Sequence, residues 1–238
     1  MKVIILAGGL GTRLAEETDV KPKPMVTIAG KPIIWHIMKT YASQIEAEFY
    51  IATGYKSEVI DSYLDSDTFK SENLKANSIF TGHETSTGGR IKKILEKIDG
   101  DKFMATYGDG VCDININDLL DFHSKHRKIA TITAVRPAAR FGRLEIDNGK
   151  VLNFSEKPQS QEGWINGGYF VFSRKIETYL EDYSEPLEHG PLSNLSKAGE
   201  LMAYQHEGFW QPMDTLREKI ELENLVVENK APWMQHFR

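Results

Sequence analysis

The stretch VIILAGGLGTRL, residues 3–14, decides the fold of this chain. Its first part, Val3 to Ala7, is a continuous apolar run that two glycines end. A short apolar run without alternation is typical of a strand buried on both faces, as in a parallel sheet. The loop that follows holds Gly8, Gly9 and Gly11, and glycines let backbone N–H groups come close to a ligand. The stretch therefore predicts a buried strand that opens into a phosphate-binding loop.

Two better-known phosphate-binding motifs do not match this loop. No Gly-Lys-Ser/Thr follows, so it is not a Walker loop, and Arg13 stands just before the position of a third fingerprint glycine, so it is a poor dinucleotide motif. Arg13 adds a planar charged fork that suits phosphate oxygens. The plain alternative is a tight turn between a strand and a helix that binds no ligand. The glycines together with Arg13 favour phosphate binding.

A stiff basic segment follows the loop. In Lys21-Pro22-Lys23-Pro24-Met25, each proline fixes its own φ and biases the residue before it towards an extended conformation. Two lysines are thus held on a rigid, non-helical segment close to the glycine loop. A solvated basic loop is the alternative, but next to the glycine loop we interpret the segment as a mount for a cation over a phosphoryl group.

Strand and helix patterns alternate from this point. Apolar residues at helical spacing follow Pro32, and Ser57 is predicted to cap a second helix. The polar residues 65–80 carry little pattern and predict a loop or an irregular element. This alternation predicts an α/β fold with a mostly parallel, Rossmann-like sheet and helices on both faces. The other predicted elements of this half are strands at 49–53, 103–107 and 130–135 and helices near 91–98 and 117–126.

The second half predicts a small antiparallel insertion beside the parallel sheet. Asn148-Gly149 lies between two apolar runs, 143–146 and 151–154, and Asn-Gly is a strong hairpin signal. Further strands are predicted at 169–172 and 201–204, with helices near 174–180 and 192–199. Thr215 with Glu218 three residues later predicts a capping box for a final helix that reaches about residue 228. We expect one domain over residues 1–238.

The composition excludes several classes of protein. The chain carries 29 Lys and Arg against 34 Asp and Glu, a net charge of −5, which is the wrong sign for a protein that coats nucleic acid. Its single cysteine, Cys112, excludes an internal disulfide and a cysteine-rich metal site and suits the reducing cytoplasm. No apolar run approaches the ~20 residues that span a bilayer. We expect a cytoplasmic protein without nucleic-acid or membrane partners.

Two carboxylates stand out on local grounds. Asp109 lies between two glycines after a predicted strand, where a side chain can reach a cleft at the sheet edge. Asp214 lies after another predicted strand and directly before the capped helix. A turn residue and a helix N-terminal charge are the plain interpretations of the two. Their sequence spacing, about a hundred residues, could not pair them.

The chain resembles the sugar-phosphate nucleotidyltransferase family, which makes nucleotide-activated sugars. LAGGLGTRL with KPKPM resembles the family signature, and further similar segments extend to residue 233. The resemblance is strongest to the members that join CTP to glucose 1-phosphate, through the segments TGGRIKK, TYGDGVCDIN, NFSEKP, INGGYFVF and GELMAYQHEGFWQPMDTLREK. A match that is this long and ordered is more specific than any one motif.

The resemblance implies roles for individual residues. It implies catalytic roles for Arg13, Lys23, Asp109 and Asp214, with Mg²⁺ held by Asp109 and Asp214. It implies a nucleotide site in residues 1–135, formed by Leu6, Ala7, Gly8, Gly9, Leu10, Gly11, Thr12, Arg13, Lys23, Thr85, Gly88, Gly89, Arg90 and Gly108. It implies a sugar-phosphate site in residues 136–238, formed by Glu156, Lys157, Asn166, Gly167 and Gly168.

The resemblance leaves some alternatives open. A uridylyl- or thymidylyltransferase would share every catalytic residue named here, and a metal-dependent glycosyltransferase would also bind a nucleotide-sugar on an α/β sheet. The expected product, CDP-glucose, would serve deoxysugar and surface-polysaccharide synthesis. Homo-oligomers are compatible with the resemblance, but the stretch 66–82 is shorter here than in the CTP-using members and leaves the assembly undecided.

Overall fold

The computed structural model describes residues 1–137, 143–147, 150–155 and 163–237, and within them all side chains except those of residues 13, 15, 16, 143–147 and 153–155. A seven-stranded sheet forms the centre of this part, in the order β12-β8-β11-β6-β1-β4-β5. The strands are β1 (Lys2–Ala7), β2 (Thr27–Ile28), β3 (Lys31–Pro32), β4 (Glu48–Thr53), β5 (Lys75–Phe80), β6 (Lys102–Tyr107), β7 (Gly110–Cys112), β8 (Ala130–Val135), β9 (Arg143–Asp147), β10 (Lys150–Ser155), β11 (Ile165–Ser173), β12 (Leu201–His206) and β13 (Trp210–Pro212).

The sheet is mostly parallel, as predicted. Strand β1 pairs in parallel with both β4 and β6, β4 pairs in parallel with β5, and β12 with β8. Strand β11 alone among the described strands of this sheet runs antiparallel, between β6 and β8. The predicted hairpin is confirmed as β9 and β10, and β13 pairs with β7 in a further antiparallel ladder.

The two faces of the sheet each bury a separate apolar core. Side chains of a strand alternate between its faces, so Val3 and Ile5 join one core while Ile4 and Leu6 join the other. Both cores are closed by helices, which explains why Val3–Ala7 is apolar at every position. Among the helices of the described residues, none combines the length and the apolar character needed to cross a bilayer. The helices are α1 (Ala15–Thr18), α2 (Ile33–Ala42), α3 (Ser57–Asp65), α4 (Asp67–Lys70), α5 (Thr87–Leu95), α6 (Ile116–His126), α7 (Pro191–Lys197) and α8 (Leu216–Val227), with 3₁₀ turns at Thr12–Leu14, Lys23–Met25, Arg174–Tyr179 and Pro232–Met234.

Two sequence predictions in the first half are wrong. Residues 65–80 are not a loop: they form α4 and β5, the edge strand of the sheet. Strand β5 is half-exposed, with no fully buried residue, so its sequence lacks the apolar run that marks the inner strands. Ser57 does not cap α3; it is the first helical residue, and Lys56 occupies the cap position in a left-handed conformation without a side-chain bond.

The C-terminal helix begins as predicted and brings the chain end back to the core. Thr215 and Glu218 form the reciprocal capping box at the start of α8. After this helix Trp233 is buried against Phe209, and its indole N–H donates to Nδ1 of His36 at 3.3 Å. The Nε2 atom of His36 lies 3.1 Å from the carbonyl oxygen of Ile28. Both ring nitrogens of a neutral His36 are thereby satisfied.

We predict that two buried histidines make stability fall as the pH is lowered below 6.5. Burial lowers the pKa of His36 and of His123 to about 4 in each case. The unfolded chain takes up protons near pH 6.5 while the folded chain does not, so protonation favours unfolding throughout the window from 6.5 to 4. Each histidine should remove about 2 kcal/mol of unfolding free energy between pH 6.5 and 5.

Urea unfolding at several pH values between 6.5 and 5 measures this slope. His36→Gln and His123→Gln should each flatten it by one histidine's share, whereas a Gln substitution of the exposed His189 should leave it unchanged. Equal slopes in wild type and both variants would contradict the prediction.

Candidate active site

A cleft of about 490 Å³ opens at the carboxyl ends of β1 and β6. Ligands of open α/β sheets bind at this edge, outside the carboxyl ends of the strands. A larger depression, about 930 Å³, lies at the opposite edge beside Lys2, Glu48 and Lys102, where β1, β4 and β6 begin, and it lacks a glycine loop. We therefore place the site in the smaller cleft. Its lining residues are Leu6, Ala7, Gly8, Gly9, Leu10, Gly11, Thr12, Lys23, Pro24, His83, Glu84, Thr85, Ser86, Thr87, Arg90, Tyr107, Gly108 and Asp109.

The glycine loop forms one wall of the cleft over residues 8–12. Gly11 has a φ of +65°, a left-handed conformation that favours glycine, and the 3₁₀ turn Thr12–Leu14 follows it. The side chain of Arg13 lies outside the described residues. Residues 8–12 of the loop thus line the cleft.

Arg90 lies beneath this wall rather than reaching freely into the cleft. Its side chain is buried, with 4% exposed, and one terminal nitrogen donates to the carbonyl oxygens of Thr53 at 3.0 Å and Gly82 at 2.9 Å and to the hydroxyl of Thr81 at 2.6 Å. The other donates to the carbonyl oxygen of Gly8 at 3.0 Å and, more weakly, to that of His83 at 3.3 Å. Arg90 therefore ties together the loops that follow β1, β4 and β5.

Gly8 must be a glycine for this contact to exist. A Cβ atom at position 8 would lie 2.1 Å from a terminal nitrogen of Arg90, which is a clash. Burial lowers the pKa of Arg90, but a guanidinium group is so strong a base that it stays charged at neutral pH. The charged guanidinium group donates strong, directional hydrogen bonds to five oxygens, and these bonds hold the glycine loop in one position.

The start of helix α5 forms the facing wall. Ser86 caps the helix, and the hydroxyl of Thr85 donates to the carbonyl oxygen of Thr81 at 2.6 Å. Thr85 lines the cleft, whereas Gly88 and Gly89 are not among the residues that line it. Their Cα atoms lie against the segment 183–187, where a Cβ atom would clash with its backbone. The two glycines let this segment pack on α5, away from the cleft.

Lys23 and Asp109 are among the residues that line the cleft, and Lys23 joins Asp109 to Asp214. The ammonium group of Lys23 donates to Oδ2 of Asp109 at 2.8 Å and to Oδ1 of Asp214. Lys23 is buried, whereas about a third of the Asp109 side chain is exposed. Lys21, two residues earlier, pairs with Glu17 at 3.2 Å. Only the second lysine of the predicted segment thus reaches the carboxylates.

The ladder of β7 with β13 brings the two carboxylates together. Asp109 precedes β7 and Asp214 follows β13 closely, and the strands are antiparallel, with Gly110 opposite Pro212. The same end of the ladder therefore carries both aspartates, and the backbone N–H of Met213 donates to the carbonyl oxygen of Asp109 at 2.8 Å. Two aspartates about a hundred residues apart in the sequence thus lie close together in the folded chain.

The carboxylate pair has the chemistry of a divalent-cation site. Oxygens of both aspartates already share one cation, the ammonium group of Lys23, and hard carboxylate oxygens are the protein ligands that Mg²⁺ prefers. The partial exposure of Asp109 leaves it open to waters and to a substrate phosphate in the cleft. These residues fit such an ion.

The residues predicted for the sugar side are described in part. Glu156 and Lys157 lie outside the described residues. Asn166 donates from its side-chain amide to the hydroxyl of Tyr107 at 3.0 Å, and its carbonyl oxygen accepts from the backbone N–H of Gly168 at 2.8 Å. The indole N–H of Trp210 donates to the carbonyl oxygen of Gly167 at 2.7 Å. This network lies beside Asp109, at the end of β6.

Tyr107 and Glu188 are residues of this network that sequence reasoning missed. The Tyr107 hydroxyl donates to the carboxylate of Glu188, and burial together with this carboxylate raises the pKa of Tyr107. The other oxygen of Glu188 accepts from the hydroxyl of Thr87 at 2.8 Å. The place of Tyr107, two residues before Asp109, could have drawn attention to it. Glu188 is 81 residues from Tyr107 in the sequence, and no local pattern marks it.

Several known proteins are similar to this chain in sequence. A family model described as "Nucleotidyl transferase" matches residues 2–211. The glucose-1-phosphate cytidylyltransferase of Salmonella typhi is 46% identical, with 98% of each chain covered, and a probable glucose-1-phosphate cytidylyltransferase of Bacillus subtilis is 39% identical, covering 98% of this chain and 99% of that one.

Solved structures agree as well. HddC from Yersinia pseudotuberculosis superposes with a TM-score of 0.75 at 29% identity, over 94% of this chain and 99% of that one. A UDP-glucose pyrophosphorylase superposes with a TM-score of 0.71 at 18% identity, over 96% and 98%, which supports the fold alone. The glycine loop, the cleft at the sheet edge and the carboxylate pair thus stand in a chain that belongs to the nucleotidyl transferase family.

Proposed function

We propose that this protein transfers the cytidylyl group of CTP to α-D-glucose 1-phosphate and so forms CDP-glucose and pyrophosphate. The observation that carries the proposal is the near full-length likeness to a glucose-1-phosphate cytidylyltransferase, at 46% identity. The convergence of Lys23, Asp109 and Asp214 in the cleft supports a catalytic role for the same site in this chain. We place the reaction in the cytoplasm.

The reaction is a displacement at phosphorus. A phosphate oxygen of the sugar phosphate attacks the α-phosphorus of CTP, the bond from that phosphorus to the oxygen bridging to the β-phosphorus breaks, and the electron pair leaves with pyrophosphate. Chemistry of this kind asks a protein mainly to align the reactants and to place positive groups where negative charge develops. The cleft offers both kinds of group.

The triphosphate would lie on the glycine loop. Residues 8–12 line the cleft, and we assign their backbone N–H groups, with Arg13, to the β- and γ-phosphates, which become the leaving group. Thr85, on the opposite wall, is positioned to contact the nucleoside. Leaving-group charge would then be stabilised by donors that need no rearrangement during the reaction.

Lys23 would stabilise the α-phosphoryl group. In the ligand-free protein its charge is shared by Asp109 and Asp214, which makes burial of the ammonium group tolerable. Asp109 and Asp214 would hold Mg²⁺, which would supply positive charge where negative charge develops on the phosphates. The Lys23 ammonium group would then donate to oxygens of the α-phosphoryl group.

The sugar phosphate would bind on the other side of Asp109. We assign the phosphate to Lys157 and hexose hydroxyls to Glu156, with Asn166, Gly167 and Gly168 bringing backbone groups close to the sugar. The hydrogen bonds from Asn166 to Tyr107 and from Trp210 to Gly167 hold this region next to the end of β6, which leads directly into Asp109. The attacking oxygen would thus arrive beside the carboxylate pair.

We predict that CTP with glucose 1-phosphate gives the fastest pyrophosphate release in a panel of nucleoside triphosphates. The measurement is initial rate with CTP, UTP, dTTP, GTP and ATP, each with glucose 1-phosphate and Mg²⁺, followed by identification of the nucleotide-sugar formed. Faster turnover with UTP or dTTP would overturn the choice of base, and consumption of CDP-glucose without pyrophosphate would indicate a glycosyltransferase.

We predict that Lys23→Gln lowers kcat by at least about 100-fold, because it removes a cation that acts on the transferred phosphoryl group. Lys21→Gln is the matched control on the same stiff segment, and it should keep kcat within about twofold, since Lys21 pairs with Glu17 and not with the carboxylates. Circular dichroism must show that both variants are folded. A folded Lys23→Gln enzyme with near-normal kcat would refute the role of Lys23.

We predict that Arg90→Lys raises the KM for the nucleotide more than it lowers kcat and reduces unfolding free energy by about 3 kcal/mol. A lysine cannot bond all five oxygens that Arg90 contacts, so buried carbonyl groups lose their partners and the glycine loop loses its support. Lys92→Gln on the same helix is the control, because its ammonium group bonds the surface carbonyl of Glu181. An unchanged KM with lowered stability would mean that Arg90 supports the fold alone.

A further inference from the structure

A second cluster of ligand-type side chains lies at the other end of the β7–β13 ladder. The sulfur of Cys112, a carboxylate oxygen of Asp113 and a ring nitrogen of His206 lie within 4.8 Å of one another. Cys112 ends β7, Asp113 follows it, and His206 ends β12. Among the described residues this is the one group of three histidine, cysteine or acidic side chains that meets that distance.

We propose that Cys112, Asp113 and His206 bind one zinc ion. A thiolate, an imidazole nitrogen and a carboxylate oxygen are the ligands that Zn²⁺ takes, with bond lengths of about 2.0–2.3 Å. Ligand atoms around a tetrahedral ion of this size stand about 3.3–3.8 Å apart. The three atoms lie within 4.8 Å of one another, so small side-chain movements would bring them to this spacing, and Nε2 of His206 and Oδ1 of Asp113, 2.9 Å apart, would separate slightly. A water molecule would complete the tetrahedron.

The contacts of the His206 ring within the cluster are with oxygens. Nε2 of His206 lies 2.9 Å from Oδ1 of Asp113 and 3.3 Å from the carbonyl oxygen of Phe209. Oδ1 of Asp113 is closed off from solvent and accepts no hydrogen bond of good geometry from the described residues, and a buried oxygen in that state is costly unless a cation binds it. The backbone N–H of Ile114 interacts with the Cys112 sulfur, as N–H groups do around metal-bound thiolates.

The surrounding chain is shaped to bring these groups together. The turn from β12 into β13 passes over the cluster, and a Cβ atom on Gly208 would lie 2.4 Å from Oδ1 of Asp113 and 2.7 Å from the His206 ring. Only glycine allows that approach. The backbone N–H of Asp113 also donates to the carbonyl oxygen of Phe209 at 3.1 Å. The turn is therefore closed tightly on both ligands.

A divalent ion such as Zn²⁺ would balance the charges of the three ligands. Cys112 is fully buried and would be a neutral thiol without a cation, because burial raises its pKa. Binding of Zn²⁺ releases the thiol proton to solvent and leaves the remaining ring proton of a neutral His206 on Nδ1. Thiolate, carboxylate and Zn²⁺ then sum to zero. The thiolate and the imidazole also distinguish this site from the oxygen-only pair Asp109 and Asp214, which suits Mg²⁺.

The ion would fasten the ladder that carries the active-site carboxylates. Asp109 and Asp214 lie at one end of β7 and β13, and the cluster lies at the other, about 10 Å away along the strands. A bond from His206 to Cys112 joins the last residue of β12 to the last of β7. Zinc at this position would be structural and would not touch the substrates.

The test uses the full-length protein, stripped of metal with a chelator and titrated with Co²⁺, which replaces Zn²⁺ and reports its ligands by absorption. We expect one equivalent to give the ultraviolet charge-transfer band of a cobalt thiolate and the strong visible bands of tetrahedral cobalt, both removed by one equivalent of Zn²⁺. Cys112→Ala should lose the charge-transfer band. His206→Gln is a second, independent variant at a less buried position. It should lose the tetrahedral bands, and it keeps the proposal testable if Cys112→Ala does not fold.

The matched control is the double variant Asp109→Asn and Asp214→Asn, which removes the oxygen-only site and should keep the cobalt spectrum. In wild type, Zn²⁺ at a hundredfold excess over its Kd should raise Tm by about 5–10 °C, and this rise should vanish in His206→Gln. A wild-type protein without the thiolate band, or a band that survives in Cys112→Ala, would overturn the proposal.

Discussion

The guanidinium group of Arg90 is the contact on which the cleft depends. It donates hydrogen bonds to carbonyl and hydroxyl oxygens at the ends of three neighbouring strands, β1, β4 and β5. The guanidinium group also occupies the space that a Cβ atom of residue 8 would need, so only glycine fits at this position. These loops would otherwise expose unpaired backbone carbonyls at the sheet edge. One buried cation thus satisfies them and fixes the position of the glycine loop.

A second buried cation organises the floor of the same cleft. Lys23 holds Asp109 and Asp214 together, although two carboxylates at such close range repel each other. The lysine thus serves as the counter-ion of both carboxylates. Under the proposed function these carboxylates would hold Mg²⁺, and the Lys23 ammonium group would then donate to phosphate oxygens.

The β7–β13 ladder links this floor to the proposed zinc ligands. It is only three residues long, and short two-stranded ladders are weak in isolation. Buried neighbours support it on one side, since Trp233 stacks on Phe209 beside β13. A metal ion on Cys112, Asp113 and His206 would add a bond at the end away from the substrates, where rigidity would not obstruct catalysis.

The sequence by itself determined the buried strand at Val3–Ala7, the glycine loop, the mostly parallel sheet and the capping box at Thr215, because each depends on neighbours within a few residues. It also drew attention to Lys23, Asp109 and Asp214 on local grounds, but only the family resemblance gave them catalytic roles and paired the two carboxylates. Strand β5 was missed, since a half-exposed edge strand has no apolar run to reveal it. Only the tertiary structure decided that Arg90 supports the loops, that Glu188 meets Tyr107 and that His206 meets Cys112. The contacts of Arg90 with Gly8, of Glu188 with Tyr107 and of His206 with Cys112 join residues 81 to 94 positions apart, and chain folding, not local pattern, brings such residues together.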